Sequence, residues 1–202
     1  MKVVLFGGSF NPPHLGHQQM VKSVLEMGLV DQIWYLPVGK HDFDKNVVAA
    51  DRRLEMLELI LPKAGEEFFN QIKIEDCEIR YFQTSYTATT LDYLSARYPQ
   101  HQFSFLMGSD NLAKFHLWYD QLGRDYQYLL NNYPTYVYPR VGFPLEPLYK
   151  NMIPLSQLEA VAVSSTQVRE ALANAGKEAD LAKLLDQKII KYIAKHNLYA
   201  SS

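Results

Sequence analysis

Two short strings carry side chains suited to phosphate chemistry. The first is Gly7-Gly8-Ser9-Phe10-Asn11-Pro12-Pro13-His14-Leu15-Gly16-His17. Glycines directly after an apolar run let a backbone approach a phosphate closely. His14 and His17 stand three apart where a helix would begin, so both imidazoles share one face. That end of a helix is its positive pole, where an anion is favoured. Imidazoles placed there can donate hydrogen bonds to phosphate oxygens. The string is not a dinucleotide fingerprint, because G-x-G-x-x-G is absent, and not a P-loop, because no G-K-[ST] follows. Two histidines without further ligands leave a zinc site incomplete, so no metal ligands are assigned. The plainer alternative is a Gly-Pro turn ahead of a helix, and the whole string weighs against it.

The second string is Ser164-Ser165-Thr166-Gln167-Val168-Arg169. It follows an apolar stretch and opens a helical one. The backbone N–H groups and hydroxyls of Ser165 and Thr166 form a second anion cradle, with Arg169 near the first turn. Alone it would read as an ordinary serine cap with a surface arginine. Beside the first string it reads as the other half of one site.

The surrounding pattern says what must position these groups. Apolar runs at 3–6, 32–38, 71–79, 102–107, 135–138 and 160–163 read as strands. Helical spacing covers 15–27, with Gly28 where a C-cap belongs, then 49–61, 87–98, 166–175 and 186–196. This alternation predicts an α/β fold, a Rossmann-like doubly wound parallel sheet. It is expected to form a single domain over 1–202, with a helical C-terminal part from about 165 to 199. Ligands of such sheets lie beyond the carboxyl ends of the strands. The segments to search are therefore 7–17, 37–45, 108–118 and 164–169.

Composition narrows the partners. The 202 residues are 48% hydrophobic, which excludes disorder as the main state. Twenty basic and 22 acidic residues leave a formal charge of −2, against a nucleic-acid or anionic-membrane surface. No apolar run approaches the ~18–20 residues of a membrane span. A single cysteine, Cys77, allows no internal disulfide, so a reducing, cytoplasmic setting is expected and Cys77 reads as a small core residue. Trp34 reads as core. Seven of the 14 tyrosines fall between Tyr119 and Tyr149, consistent with either a homo-oligomer interface or half-buried packing.

The two strings resemble the head and tail signatures of the nucleotidyltransferase superfamily. More closely, the chain resembles the bacterial nicotinate mononucleotide adenylyltransferases. Further segments carry the likeness: 37–45 with 52–59, then Ser85-Tyr86-Thr87-Ala88-Thr89-Thr90-Leu91, then Gly108-Ser109-Asp110 running to Phe115-His116-Leu117-Trp118-Tyr119, and the end, Ile193 to Tyr199. The resemblance implies attack of a mononucleotide 5′-phosphate on the α-phosphorus of ATP, with Mg²⁺ riding on ATP. It assigns His14, His17, Arg169 and a lysine to catalysis. Many relatives carry P-P-H-K in the loop after the second strand, whereas this chain has Gly39-Lys40-His41-Asp42-Phe43-Asp44-Lys45. Lys45 is the favoured counterpart and Lys40 the alternative, against a plainer reading of both as solvated loop charges. Gly7, Gly8, Ser9, Phe10, Lys40, Ser165 and Thr166 are implied on ATP. Ser85, Tyr86, Thr87, Asp110 and Trp118 are implied on the mononucleotide, Trp118 by stacking on the pyridine ring and Asp110 through ribose or metal-water contacts. Rival readings are nicotinamide mononucleotide as acceptor, pantetheine-phosphate adenylyl or alcohol-phosphate cytidylyl transfer, and a non-catalytic nucleotide sensor.

Overall fold

The computed structural model describes residues 1–39, 47–82, 84–174 and 178–199. Among them, six strands form one sheet: β1 (Lys2–Gly8), β2 (Gln32–Pro37), β3 (Ile72–Ile74), β4 (Gln102–Gly108), β5 (Thr135–Tyr138) and β6 (Met152–Pro154). The order is β3-β2-β1-β4-β5-β6 and every pairing is parallel. The central strands are nearly continuous apolar runs because both faces of the sheet are covered.

The helices are α1 (Leu15–Glu26), α2 (Ala50–Ile60), α3 (Cys77–Arg80), α4 (Thr87–Arg97), α5 (Tyr126–Asn132), α6 (Ser165–Ala173), α7 (Glu178–Leu181) and α8 (Gln187–Lys195). A 3-10 helix covers Ser109–Leu117. Side chains alternate across the strands and build two cores. Val4, Phe6, Ile33 and Tyr35 pack with Met20, Val21, Val24 and Leu25 of α1. Val3, Leu5, Trp34 and Leu36 pack with Leu91 and Leu94 of α4 and with Phe115. A third cluster joins Met56 of α2 to Val168 of α6, Ile189 and Ile193 of α8, and Leu185 between α7 and α8.

Two expected strands differ. The run 71–79 is a strand only over Ile72–Ile74, because the chain folds back at Asp76, whose carbonyl accepts from the N–H groups of Ile79 and Arg80. The run 160–163 contributes one bridge, Val161 to Arg140, and the sheet edge is taken by Met152–Pro154. Helices α5 and α7 and the 3-10 segment were not expected from spacing. Cys77 and Trp34 lie in the core as expected. Among the clustered tyrosines, Tyr138 is buried and Tyr126, Tyr133 and Tyr149 pack half-buried, whereas Tyr119 is exposed. No described helix is long and apolar enough to cross a membrane.

Strand order reverses between β1 and β4, so the ligand crevice of this topology opens at their carboxyl ends. Gly8 ends one strand there and Gly108 the other.

Candidate active site

The histidine pair sits at this crevice. His14 is the extended N-cap residue of α1 (φ −143°, ψ 169°) and is 1% exposed. Its ring stacks on that of His17, with centroids 3.6 Å apart. The backbone N–H of His14 donates to Nδ1 of His17 at 3.1 Å. That fixes the tautomer: a neutral His17 carries its proton on Nε2, which remains available as a donor. Nδ1 of His14 is buried and has no hydrogen-bond partner among the described residues. Burial, helped by the Arg140 guanidinium, pushes His14 down to about 3. Burial first, then His14 and Arg140, also hold His17 well below the ordinary imidazole range. Both rings are neutral donors near pH 7 in the ligand-free protein.

Of the two residues between the histidines, Gly16 leaves no room for a side chain without a shift of its neighbours. A Cβ on Gly16 would lie 2.7 Å from Cγ1 of Val161 and 3.0 Å from Nδ1 of His14. The glycines at the β1 end also make room within the chain. A Cβ on Gly7 would meet the Phe105 ring at 3.0 Å, and one on Gly8 the Phe10 ring at 3.2 Å. Their smallness makes room for side chains of this chain. Phe10 has a left-handed backbone (φ 47°), and its buried ring packs edge-on against His17 and Tyr35. It therefore forms a wall behind the imidazoles.

The second string meets the first, as expected from their pairing. Ser164 caps α6 with reciprocal bonds to Gln167: its hydroxyl oxygen accepts from the Gln167 N–H, and its own N–H donates to Oε1. The Ser165 hydroxyl donates to the Pro12 carbonyl at 3.2 Å. Arg169 donates to the Asn11 carbonyl at 3.0 Å and to Oγ1 of Thr166 at 3.3 Å. Lys40 and Lys45 lie outside the described residues.

Behind these groups lies Arg53, which is 1% exposed. Its guanidinium donates to the carbonyls of Val48 (3.0 Å), Ser9 (2.7 Å), Val38 (2.9 Å) and Gly39 (3.3 Å). One buried cation thus pins the loops after β1 and β2 to the start of α2. Gly39 is held from the far side as well, since its N–H donates to Oγ of Ser85 at 3.0 Å. Ser85 therefore links this loop to the approach of α4. A Cβ on Gly39 would lie 2.3 Å from the Glu78 carbonyl oxygen, so this position admits only glycine.

At the β4 end, Asp110 lies 3.9 Å from Nε of Arg140. A Cβ on Gly108 would strike Oδ1 of Asp110 at 2.2 Å and Cγ of Arg140 at 3.0 Å. Nε of Arg140 is buried and has no hydrogen-bond partner among the described residues. A guanidinium so placed, beside two neutral imidazoles, is suited to a bound anion.

A narrow cleft adjoins, lined by Thr87, Ala88, Trp118, Tyr119, Tyr126 and Leu129 among others. Tyr86 is the extended N-cap of α4 and makes no side-chain cap bond, so backbone donors at that helix start are left for other acceptors. Trp118 packs against Phe115 and Phe105 with centroids 5.0 and 6.0 Å away, so it is both core-packed and cleft-lining. A polar network fixes this wall. Arg124 donates to Asp92 and Asp120, each at 2.6 Å, and lies 4.0 Å over the Tyr128 ring. Burial works to raise the Asp120 carboxyl. Hydrogen bonds from the Arg124 side chain and from the N–H groups of Arg124 and Leu122 outweigh burial and hold it below its usual range.

Sequence reasoning missed Arg140, Arg53 and the Arg124 network. Arg140 follows β5 and would have emerged had the search included the segment after that strand. Arg53 lies on the inward stripe of α2 beside Met56 and Leu57, and a charge there was the available signal. Nothing in the spacing marked Arg124, because its partners come from α4 and a turn.

The sheet order, and a histidine pair at its switch point, define the nucleotidyltransferase class of α/β fold. A model of the cytidylyltransferase-like family matches residues 5–171. The chain is 34% identical to the "Probable nicotinate-nucleotide adenylyltransferase" of Flavobacterium johnsoniae, over 98% of this chain and 99% of that one. It is 32% identical to the nicotinate-nucleotide adenylyltransferase of Bacillus subtilis, over 99% of each. The chain belongs to the nicotinate-nucleotide adenylyltransferase family. A solved structure of Plasmodium falciparum nicotinic acid mononucleotide adenylyltransferase complexed with NaAD has the same fold. Its TM-score is 0.82 at 22% identity, covering 98% of this chain and 97% of that one.

Proposed function

We propose that this protein transfers the adenylyl group of ATP to nicotinate mononucleotide, giving nicotinate adenine dinucleotide and pyrophosphate, a step of NAD biosynthesis in the cytoplasm. The full-length likeness to the named relatives supports the reaction. The observation that carries the mechanism is the stacked, neutral His14–His17 pair facing the switch point. A 5′-phosphate has a second pKa of about 6, so it is already a nucleophile at neutral pH. One of its oxygens attacks the α-phosphorus and stays bonded to it, while the bond from the α-phosphorus to the α–β bridging oxygen breaks and pyrophosphate leaves carrying the bridging oxygen. The site need supply only alignment and charge stabilisation.

His17, through Nε2–H, and His14 are assigned to the α-phosphate and the bridging oxygen. Arg169, Lys45 or Lys40, and the Ser165–Thr166 helix start hold the β- and γ-phosphates. Arg140 adds positive potential to the same anion. The segment Gly7 to Phe10 lines the nucleotide. Among the described residues no three His, Cys, Asp or Glu side chains gather as a metal cage. The reading has Mg²⁺ carried by ATP, keeping most of its waters and taking few protein ligands. Asp110 is assigned to it, through its waters, or to the ribose. When bound, the ion neutralises triphosphate charge.

Nicotinate presents only acceptors, whereas an amide also presents donors. Backbone N–H groups at the start of α4 favour the carboxylate. Trp118 is assigned to the pyridine ring, beside Ser85, Tyr86 and Thr87. The whole chain, including the helical part from about 165 to 199, is read as one domain, since residues of that part reach the β1 loop.

Pyrophosphate release is measured with ATP and a panel of phosphate monoesters. Nicotinate mononucleotide should be the best acceptor. A preference for the amide would overturn the acid assignment, and release with phosphopantetheine or a phosphoalcohol alone would overturn the reaction. His17→Ala should lower kcat by at least about a hundredfold, the scale of one lost transition-state donor, with little change in ATP affinity. Turnover within twofold of the unsubstituted enzyme would remove His17 from the mechanism.

A further inference from the structure

The chain beyond α8 turns back on itself. Asn197 (φ 49°) and Tyr199 (φ 61°) both have left-handed backbone. Asparagine adopts that conformation readily, but tyrosine does so only where its surroundings hold it. What holds Tyr199 is at the other end of the sequence. Its hydroxyl donates to Oδ1 of Asn11 at 2.7 Å, while its ring packs against the third core cluster.

Asn11 is 1% exposed and precedes the histidine pair. Its Oδ1 also accepts from the N–H of Val48 at 3.2 Å, and its carbonyl accepts from Arg169 at 3.0 Å. Val48 is tied in turn to Arg53, which bonds the Ser9 carbonyl. The segment from Asn11 to Leu15 is therefore held from the C-terminal part at three points: Asn11 by Tyr199 and Arg169, Pro12 by Ser165, and Leu15 by the Leu184 carbonyl. His14 lies inside that span. Burial keeps the Tyr199 phenol protonated against the pull of the Arg169 and Arg53 guanidinium groups, so it stays a donor.

We propose that Tyr199 is a positioning residue for adenylyl transfer, whose hydroxyl fixes Asn11 and thereby sets the ATP-phosphate half of the site. Asn11 joins the loop after β1, the segment entering α2, and Arg169. Without the phenol, Oδ1 of Asn11 loses the donor that ties it to the C-terminal segment, and the loop gains freedom. Among the described residues the approach to α4 meets this network only at its far end, through Arg53, Gly39 and Ser85, whereas Arg169 and the β1 loop bond Asn11 or its neighbours directly, so the effect should fall chiefly on ATP and on turnover. This inference rests on the adenylyl-transfer reading above.

The test compares Tyr199→Phe with the unsubstituted enzyme. The ring remains and only the hydroxyl is lost, so the melting temperature should stay within a few degrees. We expect kcat to fall about tenfold, between the loss of one hydrogen bond and the ~10²-fold cost of a 1 Å misplacement. KM for ATP should rise severalfold, with KM for the mononucleotide within twofold. Kinetic constants all within twofold of the unsubstituted enzyme would overturn the proposal. So would equal losses for both substrates that track a drop in melting temperature, since that marks stability alone. Binding of a non-hydrolysable ATP analogue, followed by calorimetry, separates this from the functional reading. If the unsubstituted enzyme adenylylates no pyridine mononucleotide, that reading falls, while weaker analogue binding by Tyr199→Phe still supports positioning and unchanged binding refutes it.

Discussion

The buried imidazole of His14 makes stability depend on pH in a way that can be isolated. Its folded pKa is about 3, against an ordinary 6.5. Between those values the unfolded chain binds a proton that the folded chain refuses, so stability falls as pH drops below 6.5. Above 6.5 both states are neutral and the contribution is constant. At pH 5 the unfolded imidazole is almost fully protonated, and the linkage amounts to about 2 kcal/mol, at 1.36 kcal/mol per pH unit over the interval 6.5 to 5. His17 is depressed in the same direction and adds to the loss. Carboxylates contribute too, but they cancel in a comparison of the enzyme with His14→Gln. The perturbation is therefore that substitution, and the assay is urea unfolding of both proteins at pH 8 and pH 5. The stability gap between them should change by about 2 kcal/mol, the unsubstituted enzyme losing more in acid. Removing His14 also relieves His17, which acts in the same direction. Parallel losses, with a gap constant within about 0.5 kcal/mol, would refute the buried neutral state on which the donor role of the pair depends.

Two substitutions probe the supports of the site. Gly16→Ala forces a Cβ to 2.7 Å from Val161 and 3.0 Å from Nδ1 of His14. It should cost about 1–3 kcal/mol in urea unfolding and lower kcat more than tenfold, and wild-type turnover would show that His14 tolerates displacement. Arg124→Leu leaves Asp120, 2% exposed, and Asp92 without their guanidinium. Because Asp92 and Arg124 keep some solvent, the loss should be about 2 kcal/mol, below the 3–5 of a fully buried pair. Steady-state kinetics should show KM for the mononucleotide rising severalfold and KM for ATP unchanged. An unchanged mononucleotide KM would mean the network does not shape that cleft.

Contacts local to a strand end could be read from the sequence, and contacts that needed the fold could not. The apolar runs at 3–6 and 102–107 located β1 and β4, because strands covered on both faces have little choice of residue. Once those were placed, the rule that ligands lie beyond strand ends brought His14, His17 and Asp110 to one crevice. Edge elements were less legible. Met152–Pro154 is three residues long and includes a proline, so no period can be seen in it, while Ala160 to Val163 has the strand-like composition but forms only one bridge. The glycines are visible in the sequence, but the side chains that they admit are not. Gly7 and Gly8 are small to admit Phe105 and Phe10, and the closest approaches belong instead to Gly16, Gly39 and Gly108. The residues least visible were those whose partners are far away in sequence, Arg53 on four carbonyls and Tyr199 on Asn11. No period or motif encodes such pairs, because each side chain is ordinary where it stands in the sequence. The same distant placements bear on how a chain of net charge −2 would meet a polyphosphate. On the proposed reading, Arg140 and Arg169 supply that positive charge locally beside the histidine pair, with Arg53 buried behind them, and no basic surface is needed.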